Sequence, residues 1–249
     1  MIYGLWLSAA GLQANEHRQA VLANNLANAE TTGFKQDLAV FRQRLTESQS
    51  SPAGMALAHP VLDGLTGGTF VRPTYTDFSQ GTLDKTNSPL DVAIVGRGFF
   101  AVQDGDEVRY TRDGSFHVDA QGRLVTARGH LVLDESGAAI SVPSGAKVSI
   151  GEGGRVLADD EQIGRLGLVD VSDPQRLVKV GQNLFDGQFV AEEPFAGQLE
   201  VGALEQSTVE PVTLLAHFIE AARAYQLNGQ MITLQDGMLG RAVNDIAKL

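Results

Sequence analysis

The strongest periodic signal in the chain lies at its C-terminal end. Beyond Pro211, the positions Leu214, Phe218, Ala221, Tyr225, Asn228, Ile232, Gln235, Leu239, Ala242, Ile246 and Leu249 follow one another in steps of four and three. That is the 3.5-residue repeat of a helix seam, interrupted by the polar positions Asn228 and Gln235. Pro211 suits the first turn of such a helix, where its missing N–H is not needed. A continuous helix over 212–249 would run roughly 55 Å at 1.5 Å per residue, too long to fold back inside one compact domain. It calls for a long partner. Residues 1–30 offer one: Ile2, Leu5, Ala9 and Leu12 share a helical face, and Val21, Leu22 and Leu26 resume the pattern after a polar patch at 15–19. Gly4 and Gly11 each weaken this first helix by about 1 kcal/mol in propensity, so it needs support from outside itself. The Asn-rich run from Asn24 to Asn28, with Gly33 beyond it, supplies the stop.

A different pattern fills the middle. Residues 82–205 carry short β-rich runs, such as Val92–Val95 and Phe99–Val102. Turn dipeptides separate them: Asp104-Gly105, Asp113-Gly114, Gln121-Gly122, Ser136-Gly137 and Ser144-Gly145. That rhythm predicts an all-β sandwich or barrel-like domain. Residues 35–81, rich in Ser, Pro and Gly near 48–54, read as an extended or β connecting segment. The expected organisation is α+β: a helical domain from 1–34 and 206–249, paired as a coiled coil, with a central β-rich domain over 82–205. No internal repeat is visible.

Composition narrows the function. The 249 residues carry a formal net charge of -11, with 19 basic against 30 acidic side chains. A nucleic-acid partner would need a basic face to neutralise phosphates, and an anionic membrane would repel this chain. There is no cysteine, which removes disulfides, thiolate metal sites and cysteine nucleophiles. No apolar stretch reaches the roughly 20 residues of a membrane span. The opening residues Ile2–Leu12 lack the basic start and small-residue cleavage site of a secretory signal, so no cleaved signal is expected, and an extracytoplasmic protein would need another export route.

Candidate chemistry is thin. Asp104, Asp106 and Glu107 cluster around Gly105, yet no calcium-loop spacing accompanies them, and a hairpin turn accounts for the acidic run. Gly96-Arg97-Gly98 and Gly151-Glu152-Gly153-Gly154 do not lead into the Lys-Ser/Thr of a phosphate loop, so they read as turns. The histidines at 17, 59, 117, 130 and 217 show no ligand spacing and read as surface or capping side chains. Asp113 and Asp119 sit where Asp side chains bind their own turn. No Gly-x-Ser-x-Gly elbow occurs. No catalytic, cofactor or metal residue is expected.

The motifs themselves are specific. Ala23-Asn24-Asn25-Leu26-Ala27-Asn28 followed by Thr32-Gly33-Phe34-Lys35 closely resembles the N-terminal signature of the flagellar rod and hook protein family. Leu90-Asp91-Val92-Ala93-Ile94, Gly96-x-Gly98-Phe99-Phe100 and Tyr110-Thr111-Arg112-Asp113-Gly114-Ser115-Phe116 resemble its middle signature. Gly202-x-Leu204-Glu205-x-Ser207 and the heptad helix complete it, with Thr208 where the family usually carries Asn. The resemblance spans nearly the whole chain in the right order. It implies a non-enzymatic axial subunit of the basal-body rod, of the FlgF/FlgG type, exported unfolded by the flagellar type III apparatus and assembled in the periplasm. Its partners would be other rod subunits and itself, with no nucleic acid and no membrane insertion. Length and the compact middle favour a proximal-rod role, while residues 1–7 and 67–81 also resemble the distal-rod type. The subunit interface is expected at Leu5, Leu12, Asn24, Asn25, Leu26 and Asn28, and at Leu214, Phe218, Tyr225, Asn228, Ile232, Leu239 and Ile246. A rival reading is a soluble β-domain binding module dimerised by its helices.

Overall fold

The computed structural model describes residues 2–45 and 68–246, and the chain divides into two compact units. The first holds residues 1–27, 37–75 and 210–249. Its helices among the described residues are α1 (Ile2–Ala27) and α2 (Pro211–Ile246). Pro211 is the first residue of α2, and the Leu214 N–H makes its first-turn bond to Glu210 O at 3.0 Å. The helices pack against each other, and α1 also packs against a short antiparallel ladder in which Phe41–Gln43 pairs with Thr69–Val71.

The second unit holds residues 28–36 and 76–209. It is built almost wholly from antiparallel strands, as the turn rhythm predicts. Phe99–Asp104 is its central strand. It pairs with Glu107–Thr111 through a two-residue turn in register Asp104↔Glu107, and with Leu131–Val132 and Leu168–Val171 on its other edge. The sheet continues to Leu184–Asp186 and Val178–Gly181 on one side, and to Leu124–Thr126 and Phe116–Val118 on the other. A three-stranded meander spans Val148–Ile150, Arg155–Ala158 and Glu161–Arg165. Two further pairs join distant sequence: Val92–Val95 with Gln198–Val201, and Leu83–Lys85 with Ala203–Glu205.

Successive strand residues face opposite sides, which explains the unbroken apolar run Phe99–Val102. Phe100 enters a large core with Val92, Ile94, Leu124, Val132, Val156 and Leu166, stacking edge-on against Phe116 at 5.1 Å between ring centres. Phe99 enters a second cluster with Tyr110, Val171, Leu177 and Phe185. The strand is buried on both faces because the unit has apolar layers on both. Gly114 is fixed by close approach: a Cβ there would stand 1.7 Å from Val92 O.

The acidic run at 104–107 forms the hairpin turn, with Gly105 at φ 63. Glu107 pairs with Arg109, and Asp104 Oδ1 lies 3.3 Å from His130 Nδ1. His130 therefore departs from the expected surface role. It is buried, with Nε2 2.9 Å from Gln182 Oε1, because the Gly129 turn folds its ring against the 181–184 turn. His17 is half-buried, edge-on to Phe41 at 6.3 Å. His117 and His217 are exposed, and His59 lies outside the described residues. Asp113 and Asp119 hold their turns as expected: Asp113 Oδ1 accepts from the Ser115 hydroxyl, and Asp119 Oδ1 from the backbone N–H groups of Gln121 and Arg123.

Candidate assembly surface of the terminal helices

α1 and α2 run antiparallel. Gly4 faces Gln235, Gly11 faces Asn228, and Gln19 Nε2 donates to Ala221 O at 3.2 Å. The heptad positions of α2 line this seam in graded depth. Leu214 and Ala221 are buried; Phe218, Asn228, Ile232, Gln235 and Leu239 are half-buried; Tyr225 lies at the exposed margin. Ile246 closes α2, and its side chain lies outside the described part. On α1, Leu5, Leu12 and Leu26 are half-buried and Asn24 is exposed. Asn25 is buried and engaged within its own chain: Nδ2 donates to Asp37 O at 2.7 Å and Oδ1 accepts from Asp37 N at 2.9 Å. In the second unit, Asn28 O accepts from the Thr31 N–H at 3.1 Å, closing the turn that follows α1.

The apolar side chains of α2 do not all point into the seam. Val212, Leu227 and Leu234 are 81%, 61% and 60% exposed, and Leu215, Ile219, Met231, Met238 and Val243 are exposed with them. Leu215, Ile219, Leu227 and Met231 lie on a single i+4 ridge, broken at its centre by Arg223. On α1, Trp6 is 68% exposed. A Cβ added at Gly229, Gly237 or Gly240 would meet no atom within 4 Å among the described residues. An exposed apolar face of this kind on a helix marks a contact surface. Reading the heptad alone misses the ridge; the signal available in the sequence is the excess of Leu, Ile and Met at off-seam positions of α2.

The family-like motifs at 32–35 and 202–208 converge inside the second unit. The Gly33 N–H donates to Glu205 O at 2.7 Å, the Thr208 N–H to Phe34 O at 3.1 Å, and the Gln36 N–H to Thr208 Oγ1 at 2.9 Å. The Thr208 hydroxyl thus ties the two motifs together through a backbone N–H. Gly33 has φ +66, and a Cβ on it would meet the Arg112 carbonyl carbon at 2.4 Å, so only glycine fits. Lys35 and Glu205 are fully buried and joined at 2.6 Å, with Arg112 Nη1 3.5 Å from the other carboxylate oxygen. Lys35 also donates to Ser79 O at 2.6 Å, and Glu205 Oε1 accepts from the Gly81 N–H at 2.7 Å. Burial draws the Lys35 ammonium below its ordinary pKa against the opposing pull of Glu205, and does the same to Arg112. A charge cluster closed to solvent in this way fixes the backbone at Ser79 and Gly81. Sequence reading found Lys35 and Glu205 only as motif letters, because their pairing spans 170 positions.

Among the described residues no group of three or more His, Asp or Glu could hold a metal ion. No described helix is long and apolar enough to cross a membrane.

Comparisons with known proteins match this layout. The chain matches three family models: flagella basal body rod protein over residues 7–35, the flagellar hook protein FlgE/F/G D1 domain over 93–158, and the flagellar basal body rod FlgEFG protein C-terminal region over 200–245. It is 36% identical to the flagellar basal-body rod protein FlgG of Buchnera aphidicola subsp. Schizaphis graminum, across 96% of this chain and 98% of that one. It is 37% identical to FlgF of Caulobacter vibrioides, across 92% and 91%. FlgG of Bacillus subtilis is 32% identical across 98% and 99%. FlgG and FlgF relatives thus match at nearly equal identity. The chain belongs to the flagellar basal-body rod protein family, as a structural rod subunit of the FlgF/FlgG type.

Proposed function

We propose that this subunit builds the rod through its terminal helices, packing α1 and α2 against those of neighbouring axial subunits, its own copies among them. The observation that carries the reading is the ridge of Leu215, Ile219, Leu227 and Met231, exposed on α2 although the helix already has a partner. Burying one such side chain contributes about 1.5–3 kcal/mol, so a face of several is a strong driving force left unused in the single chain. The interface positions Leu5, Leu12, Leu26, Leu214, Phe218, Ile232 and Leu239 then shape the helix pair, while Asn25 positions the backbone beside it. The β-rich unit acts as spacer and contact surface, with no catalysis. The subunit passes through the type III export apparatus without signal cleavage, joins the rod in the periplasm and transmits torque.

Ile232→Asp tests this. It places a carboxylate in the half-buried contact of α2 with α1, which holds the helix pair that presents the ridge, and the penalty recurs at every subunit of an assembly. The variant should be exported, keep the melting transition of the β-rich unit, fail to enter isolated basal bodies and abolish swimming. Normal incorporation of the variant would overturn the reading.

A further inference from the structure

Two layers of the otherwise apolar seam between α1 and α2 have the opposite chemistry to the ridge. A Cβ placed on Gly4 would stand 3.0 Å from Gln235 Nε2, and one on Gly11 would stand 3.1 Å from Asn228 Nδ2. The two glycines are one heptad apart on α1, and the two amides one heptad apart on α2. Each amide therefore lies over a position that has no side chain. Gln235 Oε1 is buried there without a hydrogen-bond partner among the described residues, which costs stability. On burial alone these two layers are inverted: Leu227, Met231 and Leu234 lie outside while two amides lie inside. A stabilising seam would place Leu or Ile at 228 and 235.

We propose that the Gly4–Gln235 and Gly11–Asn228 contacts are a key that sets the register and the partner of α2. A polar side chain within a helix seam gives up stability and excludes alternatives. A one-heptad slip would set Gln235 over Gly11 and carry Asn228 against Arg18. Pairing two copies of α2 through this face would set amide against amide, with no glycine to receive either. Only α1, with glycine at heptad spacing, lets the backbones close over both amides. The key thus assigns the amide face to the chain's own α1 and leaves the apolar ridge facing out. This goes beyond the rod reading, because it holds whatever covers the ridge.

The absence of cysteine makes engineered cross-links a clean test in the full-length protein. Position 8 lies between the two glycines and position 232 between the two amides. Ser8→Cys with Ile232→Cys therefore reports the native seam. Ser8→Cys with Leu239→Cys reports the one-heptad slip, and Ser8→Cys with Leu227→Cys reports the ridge turned inward. On mild oxidation the native pair should form at least about tenfold more disulfide than either alternative, a bias of about 1.4 kcal/mol. With Asn228→Leu and Gln235→Leu added, the alternatives should rise to within about threefold of it, and Ile232→Cys alone should begin to yield cross-linked dimers. Gly11→Leu should lower the native yield, and Asn228→Ala in the same chain should restore it. An unchanged native bias in the leucine background would overturn the proposal, since the connections to the rest of the chain would then set the register. A weak native cross-link in the unaltered background, or no rescue by Asn228→Ala, would overturn it equally.

Discussion

The two units handle polar and apolar groups in opposite ways. In the β-rich unit the large side chains Val92, Ile94, Phe99, Phe100, Leu124 and Phe185 are almost fully buried, and the buried charges Lys35, Arg112 and Glu205 hold one another. In the helical unit the amides Asn228 and Gln235 face inward while Leu227, Met231 and Leu234 face water. One unit closes on itself; the other presents its best burial to something outside. A rod subunit needs both, since an axial protein must be a defined object before assembly and still have a driving force for it.

The widest test of this contrast is to charge the ridge. Leu227→Asp with Leu234→Asp should abolish incorporation into basal bodies and swimming, while leaving the urea midpoint of the monomer unchanged, because both side chains already face solvent in the single chain. A fall in monomer stability would mean the ridge is part of the intrachain core.

The β-rich unit should respond in the reverse manner. Glu205→Gln leaves Lys35 and Arg112 buried without their counter-charge, and breaking a buried pair costs about 3–5 kcal/mol. We expect the urea midpoint of this unit to fall accordingly at pH 7. A loss under about 1 kcal/mol would show that water reaches the cluster.

Glycines sharpen the contrast within the helices. Gly229→Ala, Gly237→Ala and Gly240→Ala meet open space, so each should raise α2 stability by up to about 1 kcal/mol through propensity. Gly11→Ala gains the same propensity but meets Asn228, so its net change in melting temperature should be smaller or negative. Equal gains at all four positions would remove the distinction between seam and surface.

The smallest effect concerns Asp113. Burial raises its pKa above the ordinary 3.8, partly offset by the bonds from Ser115. The folded protein therefore holds this proton longer than the unfolded chain. The stability it contributes is full below pH 3.8 and is lost as pH rises through the raised folded value. Asp113→Asn can still accept the Ser115 bonds at Oδ1. It should raise the urea midpoint modestly at pH 7 and flatten its change between pH 4 and neutrality. A lower midpoint at pH 7 would show that the charge itself is needed, through Arg128.

Local pattern made some of this legible. The 3.5-residue repeat and Pro211 located α2 because helix periodicity and a missing N–H are properties of neighbouring residues. Turn dipeptides such as Asp104-Gly105 located the hairpins for the same reason. Gly4 and Gly11 read in the sequence as weak points of a helix, and Asn228 and Gln235 as interruptions of a seam. Only the antiparallel packing of α1 on α2 joined the two observations, since contacts between positions more than two hundred residues apart leave no mark in local periodicity. His130 became buried for a like reason, by the meeting of two turns. Spacing, turn chemistry and the steric needs of proline and glycine settle locally which segments become helix and strand. Which apolar face α2 hides, which it leaves bare, and the closure of Lys35 on Glu205 follow from packing, because burial and pairing depend on what the folded chain brings alongside.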